Sequence, residues 1–199
     1  MTTEAVTLFL ALLAVGAEVA TATAVVLFVG GRFSPTLRNL GRQAVEAVAP
    51  SALSLAAVVA AVCTAGSLYL SEVAEFTPCQ LCWYQRYAMY PLVPILGLAA
   101  WKGLTRLRPY AFALATIGSM ISVYHILVER GIVKESASCD PTNPCSLIWV
   151  KRLGYLTIPT MALSGFLLVL TLLAVSWARN RSAGSSDSEL ARSEVHGHH

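Results

Sequence analysis

Five stretches of this chain run for about twenty residues with almost no charge, and such stretches have few stable destinations. A helix rises 1.5 Å per residue, so roughly 20 apolar residues cross the ~30 Å hydrocarbon core of a bilayer. The stretches cover residues 5–29, 51–70, 83–101, 109–128 and 156–178. A chain that is 56% hydrophobic and 13% charged, with mean hydropathy +0.63, is not a soluble domain, and nothing in it suggests a nucleic-acid partner. The expected class is an all-α integral membrane protein. The first stretch is too long for a signal-peptide core and lacks a basic leader, so it reads as a retained helix.

Lysine and arginine collect on the cytoplasmic side of membrane proteins. Arg32, Arg38 and Arg42 fall between stretches one and two, Lys102, Arg106 and Arg108 between three and four, and Arg179 and Arg181 after five. Those regions are expected in the cytoplasm, which puts the N-terminus and the loops 71–82 and 129–155 outside. Arg130, Lys134, Lys151 and Arg152 in the second outer loop are a mild violation. The expected organisation is an extra N-terminal transmembrane helix at 1–30, a cytoplasmic loop at 31–50, a four-helix bundle with two extracytoplasmic loops at 51–178, and a cytoplasmic tail at 179–199. That tail is polar and serine-rich from residue 182, without periodicity, and is expected to be disordered. Its HGHH ending is assigned no metal.

Four of the five cysteines fall in the two outer loops: Cys79 and Cys82 in the first, Cys139 and Cys145 in the second. An oxidising exterior permits disulfides, so the distribution suggests two extracytoplasmic redox pairs. Two structural disulfides, or one zinc held by four thiolates, are the alternatives. Cys139-Asp-Pro-Thr-Asn-Pro-Cys145 is wider than a zinc knuckle. A bond across Cys79-x-x-Cys82 would close too short a loop to stabilise much, which suits it to being made and broken. Cys63, among Ala60, Ala61 and Val62, reads as a small packing residue.

If the third helix starts near Cys79, then Cys79, Cys82 and Arg86 stand at i, i+3 and i+7 on one face. The helix N-terminus and a nearby cation both favour a thiolate. Arg86 would lie about 6 Å below Cys82, a depth suited to the carbonyl of a lipid-soluble electron acceptor. The competing reading is an arginine that snorkels to the headgroups. His125, late in the fourth stretch, could reach a similar depth and share one pocket with Arg86, or simply bond a neighbouring helix. Glu18 interrupts the first stretch, and its position alone suggests no role.

PCQLCWYQR followed by MYPL, then YH in the next helix, a loop cysteine pair and GYLTIPTMALSGF resembles the DsbB disulfide-bond-formation family. It is similar to the short-loop form of Gram-positive bacteria known as BdbC, over roughly residues 53–178. The resemblance implies a four-helix transmembrane bundle of DsbB type, here with one extra N-terminal helix outside the match, in a bacterial plasma membrane. It implies a thiol:quinone oxidoreductase that reoxidises a DsbA-like thioredoxin-fold partner and passes electrons to menaquinone or ubiquinone. On that basis Cys79 and Cys82 resemble the quinone-proximal pair, Cys139 and Cys145 the partner-facing pair, Arg86 the quinone-binding arginine and His125 a histidine near the quinone. Cys139 would form the mixed disulfide with the partner, and Cys82 would deliver electrons to the quinone.

Gln85 stands where some members carry glutamate, and only five residues separate the loop cysteines. The vitamin K epoxide reductase family places its loop pair before its Cys-x-x-Cys, the reverse of the order here. The segment SLIWVKRLGYL after Cys145 reads either as an interfacial tether for the loop or as the start of the last helix. Outside the oxidoreductase reading, the main alternative is a structural or chaperone-like membrane protein with static disulfides. A channel is disfavoured because few charges are available to line a path.

Overall fold

The computed structural model describes residues 3–136 and 139–196, with side chains described as far as Ala178. The first helix, α1, spans Thr3–Gly30. Its Ala11, Ala14 and Ala17 are buried, whereas Leu8, Phe9 and Leu12 are exposed. Small residues thus face protein and large ones face the surroundings, the pattern that lets membrane helices approach closely without a water-driven hydrophobic effect. The partner of α1 is chiefly the last helix, α7, Ile158–His196.

A second helix, α2, covers Pro35–Val48, with Pro35 in the first turn, where its missing N–H costs nothing. No residue of α2 is buried, and Arg38, Arg42 and Glu46 alternate at helical spacing with Leu37, Leu40 and Val45. Such two-faced character suits a helix lying in the headgroup region. The segment 31–50 is therefore not simply the loop expected from its charges. A search for charge-free windows passes over an amphipathic helix.

Helix α3 spans Ala52–Leu68 and widens into a π-helical turn at Tyr69–Val73, a distortion that often accompanies functional sites. Helices α4, Gln80–Met89, and α5, Leu92–Lys102, run one after the other, interrupted at Tyr90 and Pro91. Pro91 has no N–H to contribute to the helical ladder, which accounts for the break. Helix α5 ends on Gly103, whose φ of +64° is a left-handed cap that glycine adopts without penalty. After a 3₁₀ turn, α6 covers Arg108–Glu129. A two-stranded hairpin, β1 Lys151–Arg152 with β2 Leu156–Thr157, leads into α7.

Among the described residues, Thr3–Gly30, Ala52–Val73, Thr105–Glu129 and Ile158–Ala178 are each long and apolar enough to cross a membrane. The broken pair α4–α5 completes the bundle. Helices α3, α5, α6 and α7 share a core containing Leu92, Leu96, Phe166 and Leu173. Phe166 packs against Gly118 so closely that a methyl group there would overlap the ring. The protein is thus an all-α multi-pass membrane protein: a four-crossing bundle with one additional N-terminal helix.

Two further expectations change. The segment 182–199 is helical as far as His196, because it continues α7 and growth from an existing helix needs no new nucleus. Residues 197–199, including most of the HGHH ending, lie outside the described residues. The segment after Cys145 is not the start of α7, which begins at Ile158, and its Trp149 stacks on Phe76, close to the residues that precede α4. Its Leu153 and Gly154 take positive φ at the tip of the β1–β2 hairpin.

Arg152 fixes which ends of the helices lie together. Its Nε and Nη2 donate to Thr7 Oγ1 at 3.2 and 2.9 Å. The start of α1 therefore shares one end of the bundle with the hairpin and with both cysteine pairs.

Candidate active site

Cys79 is the N-cap residue of α4, with extended φ and ψ of −73° and 172°. Its carbonyl accepts the first helical hydrogen bond, from Trp83 N–H at 3.1 Å. Cys82 lies in the first turn, and the two sulfurs are 3.0 Å apart, both as free thiols. Cys139 and Cys145 are joined by a disulfide. A site of four thiolates would need those two sulfurs reduced.

The two pairs meet in one buried cluster formed by Cys79, Leu81, Val128, Cys139 and Cys145. Local chemistry shapes the loop. Asp140 Oδ1 accepts from Thr142 N–H and Oγ1 at 2.8 and 2.7 Å, which also holds its carboxyl below the usual range. Asn143 Nδ2 donates to Thr77 O at 3.4 Å, and Glu135 Oε1 accepts from Ser146 N–H at 2.7 Å. These bonds hold the loop disulfide against the residues that precede α4.

His125, 3% exposed, projects from α6 into the junction between the pairs. Its Nε2 is 3.1 Å from Cys145 O and 3.7 Å from Cys79 Sγ, and its Nδ1 is 3.5 Å from Gln85 Nε2. A carbonyl can only accept, so Nε2 carries the proton, and Nδ1 accepts from the Gln85 amide. Gln85 therefore selects the tautomer of His125, a task that calls for a donor rather than an acid.

Cys79, at the N-cap outside the span, has its pKa pulled down to about 4. The hydrogen bond from the Cys82 thiol is the main cause, burial opposes it, and His125 adds a second hydrogen bond. The free N–H groups of the helix start act in the same direction. These causes favour the thiolate at Cys79, with the Cys82 thiol donating to it.

Arg86, 8% exposed, is held by α3. Its Nε donates to Ser67 Oγ and its Nη2 to Ser67 O, each at 3.0 Å, and its guanidinium carbon lies 5.0 Å from the centre of the Trp83 ring. Both hydrogen-bond partners are neutral oxygens of one residue. Among the described residues, Nη1 has no hydrogen-bond partner.

Arg86 and Cys82 line a cavity of about 330 Å³ between α1, α3, α4 and α7, with Phe76, Pro78 and Trp149 towards its outer end. Phe76 and Trp149 stack there, with ring centres 5.3 Å apart. Most of the lining is apolar, and the volume falls within the range of small-molecule sites, roughly 300–1,000 Å³. His125 does not line this cavity. The expected joint pocket with Arg86 is replaced by two compartments on either side of the α4 start: Cys79 and His125 against the loop disulfide, Cys82 and Arg86 against the cavity.

A metal could in principle use this junction, since ligand atoms of Cys79, Cys82 and His125 lie within 4.8 Å of one another. That is one ligand short of a closed structural zinc site. Ser67 and the α1 residues of the cavity went unrecognised in the sequence. Ser67 could have been suspected as a polar group within an apolar span.

A helical membrane bundle that brings a disulfide beside a free Cys-x-x-Cys pair defines a thiol–disulfide redox protein of the membrane. Comparison with known proteins agrees. Residues 49–175 match the model of the family described as disulfide bond formation protein DsbB, and the chain belongs to that family. It is 44% identical to disulfide bond formation protein C of Bacillus subtilis over 118 residues, covering 57% of this chain and 83% of the relative. A probable disulfide formation protein of Oceanobacillus iheyensis is 42% identical over 131 residues, 62% of this chain and 87% of the relative. One from Deinococcus radiodurans is 39% identical over 140 residues, 65% and 89% respectively. No solved structure matches. Membership carries a role in disulfide bond formation, and with it an oxidoreductase chemistry at cysteine.

Proposed function

We propose that the protein is a thiol:quinone oxidoreductase that reoxidises a DsbA-like thioredoxin-fold partner and passes the electrons to a membrane quinone, menaquinone or ubiquinone. The observation that carries this reading is the division of the Cys-x-x-Cys pair: Cys79 is buried beside the loop disulfide, while Cys82 shares an apolar cavity with Arg86 and its unpaired Nη1. Both cysteine loops would lie outside the plasma membrane and the C-terminus in the cytoplasm, as the basic residues indicate.

The first exchange begins when a partner thiolate attacks Cys139, the more exposed residue of the pair at 8% against 1% for Cys145. The Cys139–Cys145 bond breaks, and the partner's second thiol then displaces Cys139, leaving an oxidised partner and a reduced loop pair. A loop thiolate next attacks the Cys79 sulfur of an oxidised Cys79–Cys82 bond, the sulfur that faces it. Cys82 is released into the cavity, and the second loop thiol restores Cys139–Cys145. The Cys79–Cys82 dithiol now holds the two electrons.

A quinone bound there would accept two electrons and two protons. Arg86, which lines the cavity, would hold an oxygen there and balance negative charge that develops on it. Cys82 supplies sulfur from the same side, and the Cys79 thiolate closes the new bond to Cys82. His125 steadies that thiolate and keeps its N–H directed at the loop.

The test uses the full chain in lipid, a reduced thioredoxin-fold partner and a quinone whose reduction is followed by absorbance. Steady quinone reduction is expected, with loss of at least about 99% of the rate in Cys82→Ser, the scale typical of losing an essential nucleophile. Failure to turn over with any common benzo- or naphthoquinone rejects the reading, as does an unchanged rate in Cys82→Ser.

A further inference from the structure

The cavity of Cys82 and Arg86 is not built from the family bundle alone. Helix α1 precedes the matched residues 49–175, yet Leu10, Leu13, Ala14 and Ala17 line it. Those positions are i, i+3, i+4 and i+7, one face of a helix. Leu10 is level with Arg86, because its methyl carbons lie within 3.2 Å of where a Cβ on Gly66 would sit, next to the Ser67 that holds the guanidinium. As α1 runs on from the end that carries the cysteines, Ala14 and Ala17 lie about 6 and 10 Å deeper. Val58, Val59 and Val62 line the same cavity from α3, at 4 to 8 residues below Gly66.

Polar anchors bracket this face. Thr7 receives Arg152, as described above. At the far side Glu18 Oε2 accepts from Tyr155 OH at 2.7 Å and Oε1 from Ser164 Oγ at 2.9 Å. A carboxyl within an apolar helix is costly unless it is satisfied. Here it is satisfied from two other elements, and α1 is thereby fixed in register against α7 and the hairpin.

We infer that α1 walls a tail compartment: Ala14 and Ala17 leave room for the isoprenoid chain of a quinone whose head lies at Arg86, and the Thr7 and Glu18 anchors hold that wall in place. This rests on the quinone reading above. On the outer face of α1, by contrast, large residues such as Leu12 and Val19 are exposed.

The experiment compares a quinone bearing several isoprene units with its tail-less parent, using the full chain in lipid. Two readouts are taken: the apparent KM in turnover with reduced partner, and quinone binding followed by quenching of tryptophan fluorescence. Ala17→Phe fills the compartment and is expected to raise KM and Kd for the tailed quinone about tenfold or more, with less than about a twofold change for the parent. Ala17→Val gives a smaller shift in the same direction and serves if the larger side chain prevents folding. Val19→Phe, on the 60% exposed face, leaves both unchanged. Equal effects on the two quinones, or no effect on either, overturn the inference. If wild-type chain binds tailed quinone but does not reduce it, the quinone-oxidase reading fails while the binding series still decides the role of α1.

Discussion

Replacing Arg86 by methionine keeps an unbranched chain and removes the guanidinium N–H groups. Two hydrogen bonds to Ser67 and the stacking on Trp83 disappear, and so does the Nη1 donor of a residue that lines the cavity. A hydrogen bond to a charged group contributes about 1.5–3 kcal/mol, and each 1.4 kcal/mol is a factor of ten. If Nη1 holds one quinone oxygen, the apparent KM for quinone therefore rises by about 10- to 100-fold. Exchange between the partner and Cys139–Cys145 involves none of these groups and should stay within about twofold. The assay pairs steady-state quinone reduction with a quench-and-gel measurement of partner oxidation by enzyme alone. Ser67→Ala is the companion variant: the charge remains but loses its anchor, so KM should rise by a smaller factor with kcat nearly unchanged. A quinone KM in Arg86→Met within twofold of wild type refutes the argument.

Two predictions concern the sulfurs and the core. Cys79, with its pKa near 4, should be alkylated at a rate that is flat above about pH 5 and falls tenfold per unit below 4, read by mass spectrometry of its peptide. The folded value is depressed, so the stabilisation that this thiolate contributes is present above its ordinary pKa near 8.5 and is lost as pH falls through 4. His125→Gln removes the imidazole hydrogen bond to Cys79 and should move the alkylation midpoint upward; a wild-type midpoint near 8.5 contradicts the assigned thiolate. Gly118→Leu drives a side chain into the Phe166 ring and should cost about 1–3 kcal/mol or more, seen as a lower Tm in detergent, whereas an unchanged Tm contradicts the packing.

The membrane crossings were legible because a bilayer imposes one length and one polarity on whatever spans it. The Cys-x-x-Cys and Arg86 were legible because thiols and a guanidinium at helical spacing are rare in an apolar run. What could not be read depended on contacts between distant residues. Whether His125 faced the cavity or the loop disulfide turned on the rotation of α6 about its axis, and several residues of the sequence are compatible with either. The anchoring of Glu18 by Tyr155 and Ser164 joins residues more than a hundred positions apart. Helix α2 was overlooked for another reason: its charges hid a periodicity that was present at Leu37, Leu40, Ala44, Val45 and Val48. The hairpin had no turn dipeptide of the usual kind and rests on the left-handed geometry of Leu153 and Gly154.

The partition made by the first turn of α4 works as an insulated junction. One sulfur looks towards the redox loop and its neighbour towards the apolar cavity, so on the proposed function reducing equivalents would cross between two phases although neither the protein substrate nor the lipid carrier leaves its own. An insertion of one residue between Cys79 and Cys82 would swing the second sulfur about 100° around the helix and short-circuit or open that junction.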